Sequence, residues 1–314
     1  MKDVLESIWF EKYRSPSVAK MILPPSYAEY FGKIVRGEHQ LPNLFLYSSK
    51  PGTGKTTIAK ALCADIDAEL LYINVSQDSG KDTLTEIIDG FAITRSIGGR
   101  IKVVLMDEVD GASPQLQKAL RAAIEGYAGN CRFILTANYE NKVIEPLRDR
   151  CERMDFNFQT SVERDDMIPR LIKRFHKVLE HEGVEYDPSV VAELVETMFP
   201  DVRKIYQLLQ KYNKMYGGID STVLSYERDF APLWEAILAG DYKKFRSLMS
   251  DKSVDPSSIY RPMFDELVPR MPENARAQAI LTIDDYMTRA VTTMDQEITA
   301  SACAISLIGL ARDN

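Results

Sequence analysis

The chain has 314 residues, with 39 Lys and Arg against 46 Asp and Glu, a net charge of −7, and 45% of it is hydrophobic. That length excludes a single small domain and allows two or three with substantial cores; the acidic balance excludes a surface coated in positive charge for nucleic acid, so any such contact needs a local patch. Four scattered cysteines, Cys63, Cys131, Cys151 and Cys303, with no C-x-x-C pair, exclude zinc-ribbon and disulfide-framework folds and fit a reducing compartment.

In chain order, the amino-terminal "MKDVLESIWFEKYR" carries acidic residues where a signal peptide needs an apolar core. Apolar strand-like runs then alternate with helical ones. "NLFLY" (43–47) is followed by a helix from Lys55, "LLYIN" (70–74) by a helix from Thr83, and "IKVVLM" (101–106) by a helix from Pro114. "RFILTA" (132–137) leads into a short helical turn near Glu145 and then "RMDFNF" (153–158). Alternating βα units with near-continuous apolar strands imply a parallel sheet covered by helices on both faces. Thr83 with Glu86 and Thr160 with Glu163 fit capping boxes, and Ser113-Pro114 and Asp187-Pro188 set a capping side chain before a proline. Residues 160–213 read as three helices and "YGGIDST" (216–222) as a linker. From about 226 the chain is helical to its end, with boundaries at Pro256, Pro262, Pro269 and Pro272. The longest uncharged stretch near the end, 298–311, is 14 residues, too short to span a bilayer. The expectation is a soluble, cytoplasmic protein with no membrane partner. Its domains are an α/β domain over 1–159, a helical domain with linker over 160–222 and a helical domain over 223–314.

The loop "SKPGTGKT" (49–56) matches G-x-x-x-x-G-K-[ST] except that Ser49 stands at the first glycine. Gly52 and Gly54 let backbone N–H groups curl around phosphate, Lys55 reaches the β/γ-phosphates and Thr56 offers a hydroxyl to Mg²⁺; the dipole of the helix behind them favours the anion. Thr53 and Thr57 complete the loop and belong to the same candidate nucleotide set. "VVLMDEVD" (103–110) ends a buried strand in two carboxylates at the sheet edge where α/β folds bind ligands. Asp107 would hold Mg²⁺ beside Thr56, and Glu108 would polarise an attacking water. Asn138 ends "RFILTAN", where it either orients that water or caps the next turn. Arg150 in "EPLRDRC" reads alone as a solvated partner of Asp149, and Arg203 in "FPDVRK" as an ordinary helical arginine. In "SGKDTLTE" (79–86), Ser79, Gly80, Lys81 and Thr83 lie at a helix start whose free N–H groups suit DNA phosphate or simply an ordinary capped helix.

These pieces in this order resemble an AAA+ ATPase. "WFEKYRSP" (9–16) is similar to the W-x-E-K-Y-R-P box that opens clamp-loader ATPase subunits, with Ser15 inserted before Pro16. "SPQLQKALRAAIE" (113–125) resembles that family's Q-x-A-L-R-x-x-x-E helix through Gln117, Ala119, Leu120, Arg121 and Glu125. "DRC" stands where the family has S-R-C, and the "DEVD" and "PDVRK" variants look most like the ATPase subunit of a tailed-bacteriophage clamp loader, with archaeal or eukaryotic small loader subunits the near alternative.

The resemblance implies a P-loop domain, a helical lid and an all-α collar in a pentameric spiral. The pentamer would hold further copies of the chain and one different subunit. It implies ATP with Mg²⁺ between neighbours, hydrolysed in response to DNA, and loading of a sliding clamp onto primer-template DNA in replication. It makes Arg150 a finger acting in trans, Arg203 a lid sensor on the γ-phosphate and Asn138 a water-side sensor. Tyr13 and Arg14 belong to the nucleotide-binding amino-terminal segment, and the helix start at 79–83 faces DNA. For a phage-encoded chain the compartment is the host cytoplasm. Two other expectations stand beside it. A nucleotide-locked scaffold subunit tends to lose the catalytic pair, which is present here as Asp107-Glu108. A helicase loader or branch-migration motor commonly carries a winged helix after the lid, where this chain has "ITASACAIS", suited to close helix packing.

Overall fold

The computed structural model of the chain describes residues 7–75, 81–94, 96–226, 230–251, 256–293 and 295–312. They fall into two compact units, one ending at Asp220 and one beginning at Ser221.

In the first unit, α1 (Trp9–Lys12) and α2 (Pro25–Val35) lead into β1 (Leu44–Tyr47), α3 (Lys55–Asp65), β2 (Glu69–Asn74), α4 (Lys81–Ile93), β3 (Lys102–Asp107), α5 (Pro114–Gly126), β4 (Cys131–Ala137), α6 (Glu145–Arg148) and β5 (Glu152–Asp155). The strands form one sheet in the order β2-β3-β4-β1-β5, with every neighbouring pair parallel. Burial explains the apolar runs. Leu44, Phe45 and Leu46 of β1, Val103 to Met106 of β3 and Phe133 to Leu135 of β4 are fully buried, because central strands are covered on both faces. The edge strand β2 leaves Leu70 and Tyr72 partly exposed. The other edge, β5, ends at Asp155 rather than running to 158; Phe156 and Phe158 are buried beyond it against Tyr27.

Three helix starts follow their sequence signals. Ser113 accepts from the N–H of Leu116 before α5, and Asp187 from that of Ser189 before α8 (Pro188–Met198). Thr160 and Glu163 form a reciprocal capping box before α7 (Ser161–His181). Helix α4 departs from expectation, since its first described residue is Lys81 and Thr83 already lies inside it. The segment read as a linker also carries structure. After α9 (Val202–Tyr216), β7 (Gly218–Ile219) pairs in parallel with β6 (Glu185–Tyr186). A Cβ on Gly218 would lie 3.0 Å from the Glu185 carbonyl oxygen, a tight contact against the paired strand.

The second unit is helical: α10 (Val223–Tyr226), α11 (Ala231–Leu238), α12 (Tyr242–Asp251), a run of short helical turns over 256–270, α13 (Glu273–Ala290) and α14 (Gln296–Arg312). Trp234 is fully buried in its core, and its indole N–H donates to Glu266 at 2.9 Å. Ala300, Cys303 and Ala304 of α14 are buried small residues, and α14 packs against α13. No helix among the described residues is long and apolar enough to cross a membrane.

Thr160→Ala removes the acceptor for the first turn of α7 and is expected to cost about 1 kcal/mol, whereas Thr160→Ser keeps it and stays within a few tenths. Urea unfolding of both variants checks this.

Candidate nucleotide site

Residues 48–54 turn the chain from the carboxyl end of β1 into α3. Gly52 has φ +73° and Gly54 φ +102°, backbone that side chains with a Cβ avoid. At Gly52 the requirement is double. A Cβ there would lie 1.8 Å from Asp201 Oδ1 and 3.0 Å from Arg203 Cβ, because the start of α9 presses on the loop. Asp201 also caps α9, accepting from the N–H of Lys204 at 2.9 Å, and burial raises its carboxyl above the usual range. Ser49, at the position of the motif's first glycine, anchors the loop by donating both its N–H (2.9 Å) and its hydroxyl (2.7 Å) to Asn157. Thr53 is buried, with its hydroxyl 3.1 Å from that of Ser48.

Lys55 opens α3 and is only 7% exposed. Its ammonium donates to Ser48 Oγ (2.6 Å), Asn138 Oδ1 (2.9 Å) and, weakly, the Lys50 carbonyl (3.3 Å), and forms no ion pair among the described residues. Burial pushes its pKa down to about 8, against the opposing pull of the Asp110 and Asp107 carboxylates. A buried cation held by neutral acceptors and facing a glycine-lined loop is a receptor for an anion.

The carboxylates diverge at the end of β3. Asp107 is buried, and its Oδ1 accepts from Thr56 (2.7 Å) and Thr136 (2.5 Å) while Oδ2 accepts from Tyr72 (3.0 Å). Glu108 has φ +59°, a left-handed conformation that costs a non-glycine residue about 1 kcal/mol. Its N–H is held by Thr136 at 3.1 Å. Asp107 meets Thr56, and Glu108 lines the same cleft. Thr56 and Asp107 bring a hydroxyl and a carboxylate oxygen together, the hard donors that suit Mg²⁺ when phosphate and water supply the rest. Asn138 uses its side-chain oxygen on Lys55, and the turn Glu140–Lys142 has no side-chain cap, so of the two expectations for Asn138 the capping bond is not formed.

The cleft, open to solvent, is lined on its other side by Tyr13 and Arg14 and by Arg174, Arg203 and Tyr206. The Tyr13 ring stacks on Tyr206 at 6.2 Å and 4°, and its hydroxyl donates to Glu182. Arg14 pairs with Glu11 and donates to Thr57 at 3.2 Å. Arg203 lies over the Phe10 ring at 5.9 Å. Arg174 ties the two segments together, donating to the Tyr13 carbonyl (2.6 Å), Ser15 (2.9 Å), the Lys20 carbonyl (3.3 Å) and Tyr206 (3.2 Å). Sequence reading missed Arg174, Thr136, Tyr72, Asp110 and Asp201. Only Asp110, within "DEVD", and Asp201, before Arg203, carried a local signal.

Arg150 is not in this cleft. It precedes β5, at the amino-terminal edge of the parallel sheet, where the Asn43 amide donates to its carbonyl, whereas the loop follows the carboxyl end of β1. Its guanidinium is held by Glu125 and the Pro146 carbonyl. Of the candidate DNA-facing residues, Ser79 and Gly80 lie outside the described residues, and of Lys81 and Thr83 only the backbone, in α4, is described.

Residues 45–162 match the model of the ATPase family associated with various cellular activities (AAA), and residues 163–225 that of the sliding-clamp-loader large subunit, AAA+ ATPase lid domain. The sliding-clamp-loader large subunit of Enterobacteria phage T4 is 34% identical, covering 85% of this chain and 84% of that one. The corresponding subunit of Escherichia phage RB69 is 35% identical over 84% and 85%. The replication factor C small subunit of Aeropyrum pernix is 31% identical over 99% of both chains. Among solved structures, the Thermotoga maritima RuvB Holliday junction branch migration motor superposes with a TM-score of 0.55 over 85% of both chains at 16% identity, a likeness of fold alone.

Two outcomes are expected. Gly52→Ala should weaken nucleotide binding at least tenfold, and adding Asp201→Ala should recover part of the loss, since the clash is with that side chain; equilibrium titration with a fluorescent nucleotide measures both. Lys55, with a free-state value of about 8 against 10.5 unperturbed, makes the free protein more stable as pH rises between those values, because the folded chain there binds fewer protons than the unfolded one. A phosphate anion restores the charged form, so binding near pH 8 takes up a fraction of a proton and weakens as pH rises. Calorimetry in two buffers of different ionisation enthalpy detects that uptake.

Proposed function

Because the chain belongs to the sliding-clamp-loader family of AAA ATPases, we propose that it is an ATP-hydrolysing subunit of a machine that opens a ring-shaped sliding clamp and loads it onto primer-template DNA during replication. In this reading it works in a pentamer containing further copies of itself and one different loader subunit. The observation that carries the reading is that the segment matching a clamp-loader lid delivers Arg203 to the same cleft as Lys55.

The roles follow from the geometry of that cleft. The N–H groups of the glycine loop and Lys55 hold the β- and γ-phosphates, with Thr53 and Thr57 in the loop and Tyr13 and Arg14 at the outer wall. Thr56 and Asp107 would hold Mg²⁺, which when bound supplies neutralising charge to the phosphate oxygens. Glu108 polarises the attacking water, and Asn138, once Lys55 turns to phosphate, is released to orient it. Arg203 reports the γ-phosphate to the lid.

Arg150, at the far edge of its own sheet, serves a neighbour's nucleotide. An arginine supplied in this way is worth about 10³ to 10⁵ in rate, so turnover depends on assembly. In this reading the segment containing Ser79, Gly80, Lys81 and Thr83 meets the DNA phosphates.

The test is capture of the cognate sliding clamp by the assembled complex. Glu108→Gln should bind ATP and retain the clamp while its turnover falls at least a hundredfold, the range lost with a general base. Lys55→Ala should neither bind ATP nor capture the clamp. Clamp capture that is indifferent to nucleotide, or normal turnover by Glu108→Gln, contradicts the proposal.

A further inference from the structure

A second groove lies between the amino-terminal segment and α7, and every charged side chain that lines it is a cation. Arg170, Lys173, Arg174 and Lys177 stand on successive turns of one face of α7, and Lys12, Arg14 and Lys20 come from the other wall. Helical neighbours three and four positions apart repel when their charges agree, so this face costs the fold some stability. A merely solvated helix face carries mixed signs, and a chain of net charge −7 has carboxylates to spare.

Only part of this charge is answered. Lys12 pairs with Glu182 at 2.6 Å, Arg170 with Asp166 at 2.7 Å, and Arg14 with Glu11. Arg174 is held by neutral acceptors, the carbonyls of Tyr13 and Lys20 and the hydroxyls of Ser15 and Tyr206. Lys20, Lys173 and Lys177 are exposed and form no ion pair among the described residues. Four positive charges therefore share one groove without a counter-ion.

The kind of anion follows from which cations are free. The forked guanidinium groups, which suit carboxylates, are engaged already, whereas the free groups are lysines, compact point charges that serve phosphate. Tyr13, the only aromatic residue among the described residues lining the groove, is stacked on Tyr206, with the Lys12 ammonium 5.3 Å from its ring centre. That lining suits a sugar-phosphate backbone rather than bases. Given the DNA-loading role proposed above, we propose that this groove is a second DNA contact, separate from the segment at 79–83, that holds the phosphate backbone without regard to sequence. Lys20, Lys173 and Lys177 make the contacts, and Arg174, which also lines the nucleotide cleft, ties the two walls together.

The test is an anisotropy titration of labelled primer-template DNA with the assembled complex, clamp and a non-hydrolysable ATP analogue, over a range of salt concentrations. Combining Lys20→Ala, Lys173→Ala and Lys177→Ala should weaken binding about tenfold or more at low salt and shallow the log–log salt slope by about two to three units, close to one per lost phosphate contact. The loss should be equal for unrelated sequences, and each single variant should shallow the slope by about one unit. Lys20→Arg with Lys173→Arg and Lys177→Arg should keep both affinity and slope, and ATP turnover without DNA should match the parent in every variant. Duplex and single-stranded probes run in parallel identify which part of the primer-template is held, and a loss with either supports the groove. A triple alanine variant with the parent's affinity and slope, in a complex that still binds DNA, overturns the groove and leaves the loading role standing. So does a variant that fails only in assembling with other copies, as seen by sedimentation, or only in clamp capture, since the groove would then face protein carboxylates. A parent complex that binds no primer-template DNA removes the loading role, and the groove's assignment with it.

Discussion

A buried ammonium without a counter-ion is the constraint around which the first unit is arranged. Lys55 gains three acceptors, none of them a carboxylate, and burial weakens its hold on its proton. Such a group is costly to keep buried at the start of a helix. It persists because the fold gathers around it the groups that bind an anion. Two glycines turn the loop back on itself, the following helix adds its positive end, and the Asp110 and Asp107 carboxylates pull on the ammonium without pairing with it.

The rest of the cleft follows from giving that ammonium a triphosphate. The lid is the element best placed to respond, because α9 begins in contact with Gly52, its Asp201 carboxylate pressing on the loop and Arg203 two residues on. The loop and the start of α9 meet so closely at Gly52 that no side chain fits between them. Arg174 binds the lid to the amino-terminal segment through the carbonyls of Tyr13 and Lys20. Nucleotide occupancy can thus reach surfaces remote from the phosphates without any flexible connection.

Sequence patterns revealed the sheet because its central strands are apolar without interruption, and the register of a buried parallel sheet leaves little choice. They overran β5, since Phe156 and Phe158 are apolar for a reason other than pairing, filling the space beside Tyr27. They missed β6 and β7, which have two residues each and no periodicity to detect. At the cleft, Gly52, Gly54, Lys55, Thr56, Asp107 and Glu108 were legible because their chemistry is packed into short local motifs. Thr136, Tyr72 and Arg174 were not. Each is an ordinary residue whose meaning lies in a partner 29 or more positions away, brought near only by strand order or by the lid folding back. The left-handed backbone of Glu108 was equally hidden, because no residue preference announces it.

The central claim is that one chain holds the nucleotide and another completes its hydrolysis, and the separation of Arg150 from its own loop makes this testable by complementation. Glu108→Gln and Arg150→Ala chains, each inactive in steady-state ATPase with clamp and primer-template DNA, are mixed under conditions of verified subunit exchange. Activity should reappear and peak at intermediate ratios, because mixed assemblies regain interfaces that pair an intact Glu108 with an intact Arg150. Mixtures no more active than either parent would contradict the account and return Arg150 to a structural role beside Glu125.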